Sequence, residues 1–243
     1  MKRPRLDRAL VEKGLAESRE KAQALIMAGE VLVKGQKASK PGQPVDPEWH
    51  IEVLSRPPFV SRGGFKLAAA LEQFGIEVNG RVCLDVGSST GGFTDCLLQN
   101  GALRVHAVDV GAGQLDWRIR TDPRVTVHEG INARELRFQN IGERVDLIVC
   151  DVSFISVTLI LPAAVPLLKE TPRGEMVILV KPQFEAGKGQ VGKGGIVRDP
   201  EVHRAACERV ESAVREFGFE TRIIESPILG AEGNKEFLLY AHG

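Results

Sequence analysis

No charge of either sign predominates in this chain: 32 Lys and Arg stand against 32 Asp and Glu in 243 residues, so the overall balance by itself points to no partner. Cysteine is scarce. Only Cys83, Cys96, Cys150 and Cys207 occur, no two with CxxC spacing, and the first three lie in or beside apolar segments; the pattern suits buried thiols in a reducing cytosol. The five histidines are scattered without metal-ligand spacing, so no structural metal is expected. Long apolar runs are lacking too. The longest uncharged stretch, Val152 to Leu168, contains Pro162, Pro166, Ser153, Ser156 and Thr158, and falls short of the roughly 20 apolar residues of a membrane span. The N-terminus is charged from Lys2 onward and has no apolar signal core, which argues against an ordinary secretory signal. No internal repeat is present. These absences lead to the expectation of a soluble, cytoplasmic protein.

What is present is unevenly placed. Residues 1 to 40 hold ten Lys or Arg against five Asp or Glu, a local excess that favours a polyanion-facing N-terminal module. Leu6, Ala9, Leu10 and Leu15 recur at helical spacing, with Gly14 as a stop. Ser18 offers an N-cap to a second helix carrying Ala22, Leu25 and Ile26, which Gly29 ends. Val31 to Val33 and Ile51 to Leu54 read as strands, with a turn at Lys34 and Gly35. Ser55 to Pro58 reads as a stiff linker. The expected organisation is a small α+β module over 1–55, a linker over 56–62 and a larger domain over 63–243.

The run RLDRALVEKGLAESREKAQALIMAGEVLVKG resembles the small RNA-binding domain shared by ribosomal protein S-four, pseudouridine synthases and some methyltransferases. The resemblance implies a basic face for structured RNA made by Arg3, Arg5, Arg8, Arg19, Lys21 and Lys34. Such side chains neutralise phosphates and give affinity that falls steeply with salt.

Beyond the linker, strands alternate with helices. Val82–Val86, 104–109, 124–128, 146–150, 176–180, 220–226 and 236–240 read as strands. Lys66 to Phe74, Phe93 to Gln99, Leu159 to Leu168 and Glu201 to Phe217 read as helices. The expected fold is α/β: a doubly wound, mostly parallel seven-stranded sheet with helices on both faces and ligands at the carboxyl ends of the strands.

The strand Val82–Val86 runs into Gly87-Ser88-Ser89-Thr90-Gly91-Gly92 and a helix starting near Phe93. Asp109 ends the next strand, where a carboxylate can accept hydrogen bonds from two ribose hydroxyls. A nicotinamide cofactor would prefer GxGxxG spacing, which this loop lacks. The loop resembles the first motif of methyltransferases, which implies S-adenosylmethionine, with Asp85 serving its amino group directly or through water. Asn132, after the third strand, matches a position near the adenosine. Gly187 to Lys193 fits GxxxxGK, but Gly194 stands where a magnesium-binding Ser or Thr is required. A mobile segment touching RNA through Lys188 and Lys193 is the better reading, with an ordinary loop as the alternative.

The segments SRGGFKL, DVGSSTGGFTD, AVDVGAGQL, CDVSFIS, LVKPQFEAGKGQVGKGG and GNKEF, in order, resemble the TlyA family, historically called haemolysin A, within the FtsJ-like ribose methyltransferases. The resemblance implies a catalytic tetrad of Lys66, Asp151, Lys181 and Glu236, with Asp151 also beside the cofactor. It implies Lys181 as base or as the group polarising a ribose 2′-hydroxyl, Lys66 as the group steering the ribose, and the carboxylates as their orienters. A lysine base needs its ordinary value of about 10.4 depressed; a second ammonium and a sulfonium push it down, and carboxylates push it up. Structural ion pairs are the alternative for these four. Phe154 suits a base-stacking or a core position equally. The implied substrate is a cytidine of large-subunit ribosomal RNA, in some members with a small-subunit target as well; the short ends accord with the large-subunit form. Three other readings stand: exocyclic base methylation, for which the 151–154 segment lacks the two prolines of the usual motif, a membrane-acting lysin, and a non-catalytic RNA-binding protein.

Overall fold

The computed structural model describes residues 3–54, 58–170, 174–187, 189–192, 194–230 and 233–243. Residues 55–57 of the expected linker, and Lys188 and Lys193, lie outside the described residues. By their contacts the residues divide into two compact units, Met1–Pro58 and Phe59–Gly243.

In the first unit, α1 (Leu6–Glu12) and α2 (Arg19–Met27) pack against β1 (Val31–Val33), β2 (Gln36–Lys37) and β3 (Ile51–Val53). The three strands form an antiparallel sheet in the order β2-β1-β3. Ser18 caps α2 as expected, its side chain accepting a hydrogen bond from Lys21 N. Lys34 and Gly35 both have positive φ, +54° and +78°, the backbone of a tight hairpin turn. Strand β2 was not expected; two exposed polar residues carry no periodicity. Leu6, Leu10, Ala22, Ile26 and Val31 form the fully buried centre.

The second unit is built on a seven-stranded sheet. Its strands are β4 (Val82–Val86), β5 (Arg104–Asp109), β6 (Val125–Glu129), β7 (Leu147–Cys150), β8 (Glu175–Val180), β9 (Glu220–Glu225) and β10 (Phe237–His242), in the order β6-β5-β4-β7-β8-β10-β9. β10 pairs antiparallel with both neighbours and the remaining ladders are parallel. The central strands read as unbroken apolar runs because both faces are covered. Val82, Leu84 and Val86 enter one core with α9 (Pro200–Arg215), whereas Cys83 enters the other with α3 (Gly63–Phe74) and α4 (Gly92–Gln99).

Several expectations need correction. Helix α3 begins at Gly63, so Lys66 is its fourth residue and not its first. The helix expected over Leu159–Leu168 is instead a series of short turns: 3-10 turns at Val157–Leu159 and Val165–Leu167 flank a four-residue helix, α7 (Leu161–Ala164). Pro162 and Pro166 supply no N–H and so restart the helix rather than continue it. The four-residue helices α5 (Trp117–Arg120), α6 (Phe138–Ile141) and α8 (Pro182–Glu185) escaped notice because one turn is too short for a periodic signal.

Leu147 is fully buried in the strand at the middle of the sheet. Leu147→Ala is expected to cost about 2–5 kcal/mol, measured as a lower urea midpoint at unchanged slope; a loss within about 0.5 kcal/mol, the usual span for surface sites, would contradict the placement of the core.

Candidate active site

The carboxyl edge of the parallel strands collects the chemistry. The β4–α4 loop needs glycine where the chain doubles back: Gly87 has φ +85°, and a Cβ there would lie 2.4 Å from Asp151 O. Gly92 is closed in similarly, a Cβ falling 2.1 Å from Ser61 Oγ. At the end of β5, Asp109 accepts hydrogen bonds from Ser89 N at Oδ2 (2.8 Å) and from Gly111 N at Oδ1 (2.7 Å). Its carboxylate is thereby fixed facing the loop, and each oxygen keeps further acceptor capacity.

Two adjoining cavities open at this edge. One, of about 460 Å³, is lined by Gly87, Ser89, Asp109, Asn132, Asp151 and Phe154 among others. The second, of about 220 Å³, is lined by Ser88, Thr90, Gly92, Phe93, Lys66 and Lys181 among others, and shares Gly87, Ser89, Asp151 and Ser153 with the first. Asn132 also caps the 3-10 turn 133–135, accepting from Arg134 N at 3.1 Å. Gly91 lines neither cavity; its φ is +95° and a Cβ would lie 2.8 Å from Leu115 Cδ1, so it serves the turn.

Asp85 is fully buried and lines neither cavity, because strand alternation turns it toward α4, which leaves the water-mediated half of its expected role. Thr94 Oγ1 donates to its Oδ2 at 2.6 Å, and its Oδ1 has no hydrogen-bond partner. Burial raises its pKa to about 7 against the help of Thr94, and Asp151 and Asp109 push the same way. An acceptor left short of a donor directly beneath the glycine loop is the feature a bound cationic group or water would complete.

The four residues of the expected tetrad form two lysine–carboxylate pairs. Asp151 and Lys181 directly follow the adjacent parallel strands β7 and β8, and Lys181 Nζ lies 2.6 Å from Asp151 Oδ1. That contact is ionic and outside hydrogen-bond geometry; the hydrogen bond from Nζ goes to Ser153 Oγ at 2.8 Å. Glu236 directly precedes β10, whose Phe237 is in register with Val180, so the reversed strand starts beside the end of β8. There Lys66 Nζ donates to Glu236 Oε2 at 2.5 Å, with both side chains almost wholly buried. Gly230 leaves room for this carboxylate, since a Cβ would lie 2.0 Å from Glu236 Oε1. Lys66, Asp151 and Lys181 line the smaller cavity, whereas Glu236 stands behind Lys66.

Phe154 is 92% exposed with φ +67°, which rules out the core reading; its ring centroid lies 5.3 Å from that of Phe184. Sequence reasoning missed Glu185. Buried on α8, it accepts from Ser156 Oγ (2.5 Å) and Val157 N (2.8 Å), tying the segment that carries Ser153 and Phe154 to the one that carries Lys181. Among Lys181, Gln183 and Lys188 its charge gave no sequence signal that sets it apart.

In the first unit, Arg3, Arg8, Lys21 and Lys34 are exposed. Arg5 and Arg19 are exposed too, but both are engaged by the fully buried Asp7. Arg5 donates to it through Nε (3.0 Å) and Nη2 (2.9 Å), Arg19 through Nε (3.1 Å), and Gln23 through Nε2 (2.9 Å). These donors, Arg5 first, hold the Asp7 carboxyl well below the usual range. Arg19, with Gln23, therefore also staples α2 to α1, while Arg5 is held at the start of α1.

Residues 59–242 match the FtsJ-like methyltransferase family, and residues 4–49 match the S4 domain. The chain belongs to the FtsJ-like methyltransferase family. It is 48% identical to the 16S/23S rRNA (cytidine-2'-O)-methyltransferase TlyA of Mycobacterium tuberculosis, over 98% of this chain and 90% of that one. It is 44% identical to the Hemolysin A of Brachyspira hyodysenteriae, over 97% and 98%. A solved structure from Streptococcus thermophilus superposes with a TM-score of 0.74 at 41% identity, covering 99% of this chain and 88% of that one. The FtsJ-like unit thus carries the expected family architecture, and the S4 domain precedes it.

The Asp85 carboxyl titrates higher in the folded FtsJ-like unit than in the unfolded chain. Its effect on stability is therefore absent below pH about 4 and grows unfavourable as pH rises toward 7. Asp85→Asn is expected to raise the unfolding midpoint at pH 8 and to leave it nearly unchanged at pH 3.5. Equal shifts at both pH values would show that the buried carboxyl does not titrate in this window.

Proposed function

We propose that this FtsJ-like enzyme transfers a methyl group from S-adenosylmethionine to the ribose 2′-hydroxyl of a cytidine in large-subunit ribosomal RNA, in the cytoplasm. The observation that carries the reading is the convergence of Lys66, Asp151 and Lys181 on one small cavity that shares its wall with the glycine loop and the Asp109 cavity. The family match and the identity to a 16S/23S rRNA (cytidine-2'-O)-methyltransferase support ribose methylation of a ribosomal RNA cytidine and keep small-subunit RNA as a further target.

The residues fit the cofactor. Asp109, fixed by two backbone N–H groups, has free lone pairs for ribose hydroxyls. The loop from Gly87 to Phe93 gives close backbone approach, Asn132 borders the larger cavity, and the unpartnered Asp85 Oδ1 suits the amino group through a water. Bound there, S-adenosylmethionine supplies an electrophilic methyl group on a sulfonium.

The remaining work falls to side chains. A 2′-hydroxyl is a weak nucleophile while protonated, so a group within hydrogen-bond reach must take its proton in the transition state. We assign that task to Lys181 Nζ, beside Asp151 and Ser153 in the cavity wall, which takes the proton in its neutral amine form and leaves as the ammonium ion-paired to Asp151. Lys66, locked by Glu236, donates to the ribose oxygens and fixes the angle of approach, since near-attack geometry supplies much of the rate. Phe154 offers its exposed face to the target base. In the first unit, Arg3, Arg5, Arg8, Arg19, Lys21 and Lys34 are assigned to RNA phosphates, and Lys188 and Lys193 to RNA from the 186–197 segment.

Base methylation would leave Lys66 and Lys181 without a task. A lytic activity rests on names alone, those of the Brachyspira hyodysenteriae relative and of two solved structures that carry the hemolysin name, and among the described residues no helix is long and apolar enough to cross a membrane.

The test uses tritiated S-adenosylmethionine, each ribosomal subunit in turn, and digestion of the product to nucleosides. Label is expected on the ribose of a cytidine, with Lys181→Ala losing roughly a hundredfold to ten-thousandfold in rate while binding the cofactor as the parent does. Label on a base, or parental turnover by Lys181→Ala, would refute the proposal.

A further inference from the structure

In the first unit, three separate stretches of chain bring cations around one tryptophan. Backbone pairing runs the N-terminal residues beside 43–45, with Val45 N donating to Pro4 O and Leu6 N to Gln43 O, both at 2.9 Å. That pairing carries Arg3 to the turn closed by Trp49 N donating to Asp46 O at 3.0 Å. From the other side, Lys34 is presented by the hairpin turn and anchored by its own N–H on His50 O at 2.9 Å. As a result Arg3 Cζ lies 5.5 Å and Lys34 Nζ 5.1 Å from the centroid of the Trp49 ring. Lys13 Nζ joins them by donating to Pro47 O at 2.8 Å.

Trp49 is half-buried, packed on the apolar core of the unit, with the rest of its surface among these charges. Asp46 lies 3.8 Å from Arg3 and the exposed Glu48 directly precedes Trp49, two carboxylates set against the three cations Arg3, Lys13 and Lys34. Gathering like charges around an indole costs electrostatic energy that contacts of about 0.5–1 kcal/mol each, at exposed sites, offset only in part. A polyanion with a planar ring to offer relieves it: an unpaired base takes the place of the cations over the indole, and Arg3 and Lys34 swing to the phosphates on either side.

We infer that Arg3, Trp49 and Lys34 form a subsite that stacks one unpaired RNA base on Trp49 and grips the flanking phosphates. The inference rests on the reading of this chain as an RNA methyltransferase, and narrows the recognised RNA to one with an unpaired nucleotide where the first unit docks. Paired RNA satisfies the cations alone.

The chain has two tryptophans, and Trp117 is 74% exposed, so Trp117→Phe leaves Trp49 as the sole indole with little disturbance. Full-length large-subunit ribosomal RNA is expected to quench Trp49 emission with the midpoint seen by gel mobility, and a fully paired duplex is expected to bind without quenching. In the otherwise parental chain, Trp49→Leu is expected to lower affinity roughly fivefold to a hundredfold, as for one lost base stack. The salt slope should stay unchanged and Trp49→Phe should restore most of the affinity. Arg3→Ala and Lys34→Ala should each flatten the slope by about one charge. Ribosomal RNA that binds without altering Trp49 emission, or a duplex that quenches as strongly, overturns the subsite. The two readings fail separately: an active ribose methyltransferase with silent Trp49 loses only the subsite, whereas a chain that stacks RNA on Trp49 but transfers no methyl group loses only the enzymatic reading.

Discussion

The candidate site depends on one reversed strand. Were β10 parallel to its neighbours, its first residue would lie at the opposite edge of the sheet, and Glu236 could not reach the cavity. Antiparallel pairing with β8 places Glu236 beside the end of that strand, where it meets Lys66 from α3 across 170 residues of sequence. Two buried charges give up hydration, and their mutual attraction repays this only when geometry is close and other polar groups are satisfied. Here the ammonium is fixed at hydrogen-bond distance and Gly230 makes room for the carboxylate. The pair is best understood as a device for rigid placement, at some cost in stability, of a cation at the cavity wall.

The second pair is more open. Lys181 and Asp151 end adjacent parallel strands, so their approach follows from strand spacing alone, and Ser153 supplies the hydrogen bond that Asp151 does not. Behind them, Glu185 ties the segments carrying Ser153 and Lys181 together. The same economy recurs in the first unit, where the buried Asp7 orients Arg5 and Arg19 while joining two helices. In each unit a buried carboxylate holds a cation in place, so that ordering it on substrate binding costs less entropy.

Much of this was legible before the fold was seen. Strands covered on both faces stand out as apolar runs, and Gly87, Gly91 and Asp109 follow from backbone sterics and strand spacing. The Ser18 cap and the Lys34-Gly35 turn carry local chemistry that residue type reveals. The assembly of Lys66 with Glu236 is different: no periodicity links them, and only the resemblance of SRGGFKL and GNKEF to known enzymes did so. The inward turn of Asp85, the exposure of Phe154 and the breaks at Pro162 and Pro166 depend on tertiary context that local propensity does not contain. Trp49 gave no signal because its neighbours, Arg3 and Lys34, are remote in sequence.

The claim that Lys66 and Glu236 act as one unit is tested most directly by a double-mutant cycle in single-turnover methyl transfer, with cofactor affinity as the control for folding. Lys66→Met and Glu236→Gln should each slow transfer by about a hundredfold or more, and the double variant should be no slower than the worse single, as expected for residues that function together. Losses that multiply independently, or a fast single variant, would contradict the account.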